Sequence, residues 1–115
     1  DTPRAFLRLA RANEKIPGIV ELYTLLAAES ATPGHPSHQY FHDRYARVRA
    51  EFTAAFREMA DAGLLRPGVD PEFAAVSTLA VWDGVQVQWM HDPDAVDVTE
   101  TLRRHLELLT TVALD

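Results

Sequence analysis

His35, His38 and His42 crowd one short stretch, with Asp43 beside them. His38 and His42 are four residues apart, the spacing at which two imidazoles on one helical face can share a metal ion, and His35 or Asp43 could supply a third ligand. A working site needs a complete and oriented ligand set. The commoner use of such residues is to cap and decorate an exposed helix start, and no metal or other cofactor is expected. A second candidate is Asp83, the single charged residue between Phe73 and Met90. A carboxyl among apolar neighbours can have a raised pKa and serve as an acid, with His105 as its possible partner. More often such a residue is paired or lies at an interface rim. The serines (Ser30, Ser37, Ser77) sit in no Gly-x-Ser-x-Gly turn, and no glycine-rich phosphate loop is present. These residues do not add up to an enzyme.

Composition narrows the classes further. The chain has 115 residues, no cysteine and a formal net charge of −6. It is long enough for one cored domain. Without cysteine there is neither a disulfide nor a thiolate ligand, which suits a reducing cytoplasm. No apolar run approaches the roughly 20 residues that cross a bilayer, so no membrane association is expected. A domain this acidic is a poor phosphate binder. Its basic cluster, Arg44, Arg47 and Arg49, stands among Asp43, Glu51 and Glu58, as on a solvated helix face. Asp1-Thr2-Pro3-Arg4 shows no initiator Met and no signal pattern, and is expected to be a cut end.

The elements that must position these residues are helices, because apolar residues recur with a helical period and no segment alternates like a strand. A single all-α domain of five helices is predicted. The first runs from about Pro3 to Asn13, with Phe6, Leu9, Ala10 and Asn13 on one face. The second runs from Pro17 to about Ala31, with Ile19, Leu22, Tyr23 and Leu26 in a stripe. The third begins near Pro36, capped by His35 or Ser37, and ends near Ala62, before Gly63. Its stripe is Phe41, Tyr45, Val48, Phe52, Ala55, Phe56 and Met59. The fourth starts at Pro71 with Asp70 as N-cap and Glu72 in the first turn, and ends near His91. The fifth opens on Asp97 and Glu100, at capping-box spacing, and runs to about Ala113.

The fourth helix is apolar on two sides. One carries Phe73, Val76, Ala80, Gly84 and Val87; the other carries Trp82, Val85 and Trp89, with Gln86 beside them. A helix apolar all round is buried all round, which so small a domain achieves only with difficulty. One side is therefore expected to meet a second copy of the chain. Val76, Ala80, Gly84 and Val87 are favoured, because small residues allow close helix crossing. The fifth helix would add Leu102, Leu106, Leu109 and Val112, making a two-fold four-helix interface. The inward aromatics outnumber what a small core requires. Phe6, Tyr23, Phe41 and Tyr45, with Phe52, Trp82, Gln86 and Trp89, are candidates to line a cavity between the first four helices. Apolar walls with sparse polar anchors describe a small-molecule pocket, although such stripes more often form core.

Asp83-Gly84-Val85-Gln86-Val87-Gln88-Trp89, followed by Asp92-Pro93-Asp94-Ala95-Val96-Asp97, resembles the last two helices of the C-terminal domain of TetR-family transcriptional regulators, particularly actinobacterial ones. Pro17-Gly18 before Leu22-Tyr23, Leu26 and Ala28-Glu29 resembles that family's earlier helices. His35-Pro36 and Tyr45-Ala46-Arg47-Val48-Arg49 resemble its long central helix. The resemblance covers essentially the whole chain. It implies a domain that binds a small effector, homodimerises through its last two helices, and reaches DNA only through a helix-turn-helix of roughly 50 residues preceding it. A ligand-free helical dimerisation module is the alternative. A small helical metal protein or enzyme is a more distant one.

Overall fold

The computed structural model describes residues 2–113, apart from the side chains of Thr2, Glu14 and Pro17. Among them are five α-helices: α1 (Thr2–Glu14), α2 (Pro17–Glu29), α3 (His38–Asp61), α4 (Pro71–His91) and α5 (Val98–Leu109). The chain is all-α, as its periodicity predicts. The α4 helix packs against α2, α3 and α5, and α1 packs on α5 and α2.

The helix ends follow local chemistry. At the end of α3, Gly63 takes φ 75°, a left-handed conformation open to glycine at little cost. Its N–H donates to the Ala60 carbonyl (3.0 Å) and the Leu64 N–H donates to Met59 (2.8 Å), the two bonds of a Schellman stop. The Asp70 carboxylate accepts from the Phe73 N–H at 3.2 Å and caps α4. Arg57 of α3 donates to Glu72 in the first turn of α4 at 2.7 Å. The Asp97 carboxylate accepts from Glu100 N–H at 2.8 Å and caps α5, while the Glu100 carboxylate is taken by Arg103. Of the two expected caps of α3, His35 and Ser37, it is Ser37 that precedes the first turn at His38, without a side-chain bond.

The end of α5 corrects the sequence reading. The helix stops at Leu109, not near Ala113, because Thr110 turns extended (φ −118°, ψ 162°) and pairs with Leu65 in an isolated antiparallel bridge. Arg66 N–H donates to Leu109 and Thr111 N–H to Leu64, both at 2.9 Å. Thr110-Thr111-Val112 is a β-branched run, which favours the extended form. The bridge ties the end of α5 to the α3–α4 connection.

The core joins Phe6, Leu7 and Ala10 of α1 with Phe56 and Met59 of α3. It continues through Ala74, Ala75, Trp82 and Val85 of α4 and Val98, Leu102, Leu106 and Leu109 of α5. Phe6 and Phe52 lie 4.6 Å apart between ring centroids, and Trp82 stacks on Phe52 at 6.4 Å. The predicted stripe of α3 does turn inward, with Phe41, Phe56 and Met59 buried. Two other stripes are corrected. In α1 the buried line is Pro3, Phe6, Leu7 and Ala10, and Leu9 is 53% exposed. The helix is rotated so that Phe6 and Leu7 together meet the core. In α2, Ile19, Leu22, Tyr23 and Leu25 remain exposed, none of the described side chains of the helix is fully buried, and Ser30, just past its end, is. This helix touches its neighbours along one narrow line and leaves the rest of its apolar surface outside.

Candidate ligand pocket and an apolar outer face

A pocket of about 540 Å³ lies between α2, α3 and α4, within the size range of small-molecule sites. Its lining mixes apolar and polar side chains in equal number. Ile16, Ile19, Val20, Ala27 and Ala28 come from the α2 side, Phe41 from α3 and Val87 from α4. The polar half is Asn13, Tyr23, Thr24, Arg44, Tyr45, Asp83 and Gln86. Ile16, Ile19, Tyr23 and Val87 are also exposed, so the pocket is open to solvent.

Asp83 is the charged group of its deep wall. The Tyr45 hydroxyl donates to its carboxylate at 2.9 Å, joining α3 to α4. Burial raises the Asp83 pKa, and the Tyr45 hydrogen bond and the Arg44 charge partly offset this. Tyr45 is pushed up to about 12 by burial, by the Asp83 charge and by their hydrogen bond, so the phenol stays protonated and remains a donor at all ordinary pH. At the mouth, the Arg44 guanidinium stands 5.3 Å from the centroid of the Tyr23 ring. Tyr23 meets Phe41 edge-on at 6.3 Å.

Of the eight residues proposed to line a cavity, Tyr23, Phe41, Tyr45 and Gln86 do line this one. Phe6, Phe52 and Trp82 do not. They pack on one another behind it, as part of the core and its immediate border. Trp89 packs half-buried against the core and faces a separate hollow formed with the loop from Pro93 to Asp97. The charged groups of the lining, Arg44 and Asp83, are not among those eight, nor are Ile16, Ile19, Val20 and Thr24. The sequence groups Arg44 with Arg47 and Arg49 as a solvated face, yet Arg44 stands three residues after Phe41 and so shares its side of α3. Arg47 does lie on the exposed side, 3.9 Å from Glu51.

The partner expected for Asp83 is also corrected. His105 instead lies 3.1 Å from the Thr78 hydroxyl, and burial lowers its pKa. The three clustered histidines go to local bonds. His35 Nδ1 accepts from Ser37 N–H at 3.1 Å, His38 Nδ1 lies 2.7 Å from the Ser30 carbonyl, and His42 Nδ1 lies 3.2 Å from Asp43. Among the described residues no three His, Cys, Asp or Glu side chains are placed to hold a metal.

The two sides of α4 divide as their residues suggest. Trp82 and Val85 are buried, while Phe73, Val76, Ala80, Gly84 and Val87 face outward. A Cβ added to Gly84 would meet nothing within 4 Å, so packing within the chain gives no reason for a glycine there. For α5 the structure departs from the expected interface. Leu102 and Leu106 are 0% exposed and Leu109 is buried with them, all within the chain's own core. Val112 packs half-buried against that core. Leu108 is the α5 leucine that faces out, at 74% exposure.

Five helices in this order, with a capped α4 packed on α2, α3 and α5, define an all-α domain, the class to which TetR C-terminal domains belong. The chain belongs to the family described as BetI-type transcriptional repressor, C-terminal, whose model matches residues 25–111, more than half its length. Comparisons with curated proteins and with solved structures returned no match. No helix among the described residues is long and apolar enough to cross a membrane.

Proposed function

We propose that this is the regulatory domain of a TetR-type transcriptional regulator, that it binds a small effector in the pocket between α2, α3 and α4, and that it homodimerises through the outer face of α4. The observation that carries the effector reading is Asp83. It is the one charge between Phe73 and Met90, and it is held by Tyr45 in the wall of a pocket whose other α4 lining residues, Gln86 and Val87, carry no charge. Burying a carboxyl there lowers stability, and core packing alone would favour an apolar residue.

The pocket residues in this reading are Tyr23, Phe41, Tyr45 and Gln86, joined by Arg44 and Asp83. Phe6, Phe52, Trp82 and Trp89 support the wall from behind or to one side. The dimer contact uses Val76, Ala80, Gly84 and Val87 from α4, with Leu108 of α5 in place of Leu102, Leu106 and Leu109. Gly84 supports it, since a mid-helix glycine lowers helix stability by about 1 kcal/mol relative to alanine and allows close approach of a second backbone. Val87 belongs to both surfaces, so an occupant of the pocket could bias the pairing of two copies and thereby the spacing of DNA-binding domains carried elsewhere in the regulator. No catalytic role is assigned, and the cytoplasm is the setting.

A thermal-shift screen of the chain against a metabolite library tests the effector reading. A ligand that binds only the folded state raises the melting temperature, by about 2.7 kcal/mol of added stability at a hundredfold excess over Kd. Hits are expected to be lost on filling the pocket with Ala27→Trp. A broad library with no hit would favour a dimerisation module without a ligand.

A further inference from the structure

Arg44 is the cation of the pocket wall, and it is half-buried. Among the described residues no carboxylate lies within ion-pair distance of it. Its neighbours are the Tyr23 ring at 5.3 Å and the Tyr40 phenol. A guanidinium presents five N–H donors in a planar fork suited to a carboxylate or sulfonate, and a partly dehydrated one gains most from such an acceptor. The other charge on the wall, Asp83, already receives the Tyr45 hydroxyl; it feels the Arg44 charge but makes no ion pair with it. Arg44 is thus the charge left for a ligand to meet. Its position also bears on cations. A ligand cation would seek the face of an aromatic ring, and the guanidinium already stands over Tyr23.

We propose that the pocket takes an amphipathic anion, its carboxylate or sulfonate group held by Arg44 and its apolar body lying along Ile16, Val20 and Phe41. This rests on the pocket being an effector site, and it adds the charge and shape of what that site selects.

The test is calorimetric titration of the chain with three probes that share an eight-carbon tail: octanoate, octanol and octyltrimethylammonium. Octanoate is expected to bind at least about tenfold more tightly than the cation, the scale of one charge-assisted hydrogen bond. Arg44→Gln is expected to abolish that preference and leave octanol binding unchanged. Arg44→Lys, which keeps the charge without the fork, is expected to retain part of it. Asp83→Asn is expected to bind octanoate at least as well as the wild type. Equal affinity for anion and cation, or an anion preference that survives Arg44→Gln, would overturn the inference while leaving the pocket reading in place. Failure of all three probes to bind would overturn the pocket reading and the inference with it. The three-probe comparison on the wild-type chain needs no variant to fold.

Discussion

Asp83 holds a carboxyl on the inward side of α4, where Trp82 and Val85 beside it are buried. Because burial raises its pKa above the ordinary 3.8, the folded state binds this proton more tightly than the unfolded chain does. Stability from this group is therefore fully present below pH 3.8 and is lost as the pH rises through the raised folded value. Asparagine can still accept the Tyr45 hydroxyl and carries no charge. Asp83→Asn is accordingly expected to match or exceed the wild-type melting temperature at pH 7, with the two curves converging below pH 3.8. Melting temperatures across pH 3 to 8 check this; a variant clearly less stable at pH 7 would show that the ionised carboxylate is a structural asset. Tyr45→Phe removes the donor and leaves the carboxylate without it, and should lower stability at pH 7 by about 1–2 kcal/mol.

At the scale of the element, α4 and α5 separate residues buried in the fold from apolar residues left outside it. Leu106 and Leu108 are two positions apart on α5, yet one is 0% and the other 74% exposed. Leu106→Ala is expected to lower unfolding free energy by about 2–5 kcal/mol, the range for deleting a buried leucine side chain. Leu108→Ala should stay within about 0.5 kcal/mol for the isolated fold and instead weaken association. Denaturant melts at low concentration, paired with sedimentation, distinguish the two. Gly84 is expected to show effects of opposite sign. Gly84→Ala has room within the chain and should stabilise the helix by about 1 kcal/mol, while the added methyl group loosens a close dimer contact. A Gly84→Ala chain as strongly dimeric as the wild type would remove the close-crossing geometry.

The whole molecule measures 42 × 33 × 19 Å. Helices pack about 8–10 Å apart, so a thickness of 19 Å holds two layers and, among the described residues, no helix is covered on every side. That is why α4, apolar on two sides, leaves one of them outside. A pair of such faces can bury roughly 1,600 Å², the standard size of a specific contact, and a dimer is expected by sedimentation at tens of micromolar, on the order of concentrations that populate even weak complexes. The net charge of −6 sets the other expectation at this scale. The chain by itself should show no sub-micromolar affinity for any DNA duplex at physiological salt, as read by fluorescence anisotropy, because it offers no broad basic face to displace counterions.

Local chemistry was legible in the sequence. Helical period, the caps at Asp70 and Asp97, the stop at Gly63 and the two-sided character of α4 follow from residues close together in the chain, and the structure shows each of them. The family resemblance drawn from short stretches is met by the match over residues 25–111. What needed the tertiary structure was rotation and depth. The moments that orient α1 and α2 come from residues with several apolar neighbours, so Leu9 and Leu7, or Ile19 and Val20, compete as the inward choice until α4 and α5 are in place. For the same reason no spacing rule told that Leu102 and Leu106 would fill the chain's own core, that Phe6, Phe52 and Trp82 would close on one another, or that Tyr45 would reach Asp83 across 38 positions. A pattern along the chain records which residues avoid water; which partner shields each of them is decided by contacts distant in sequence.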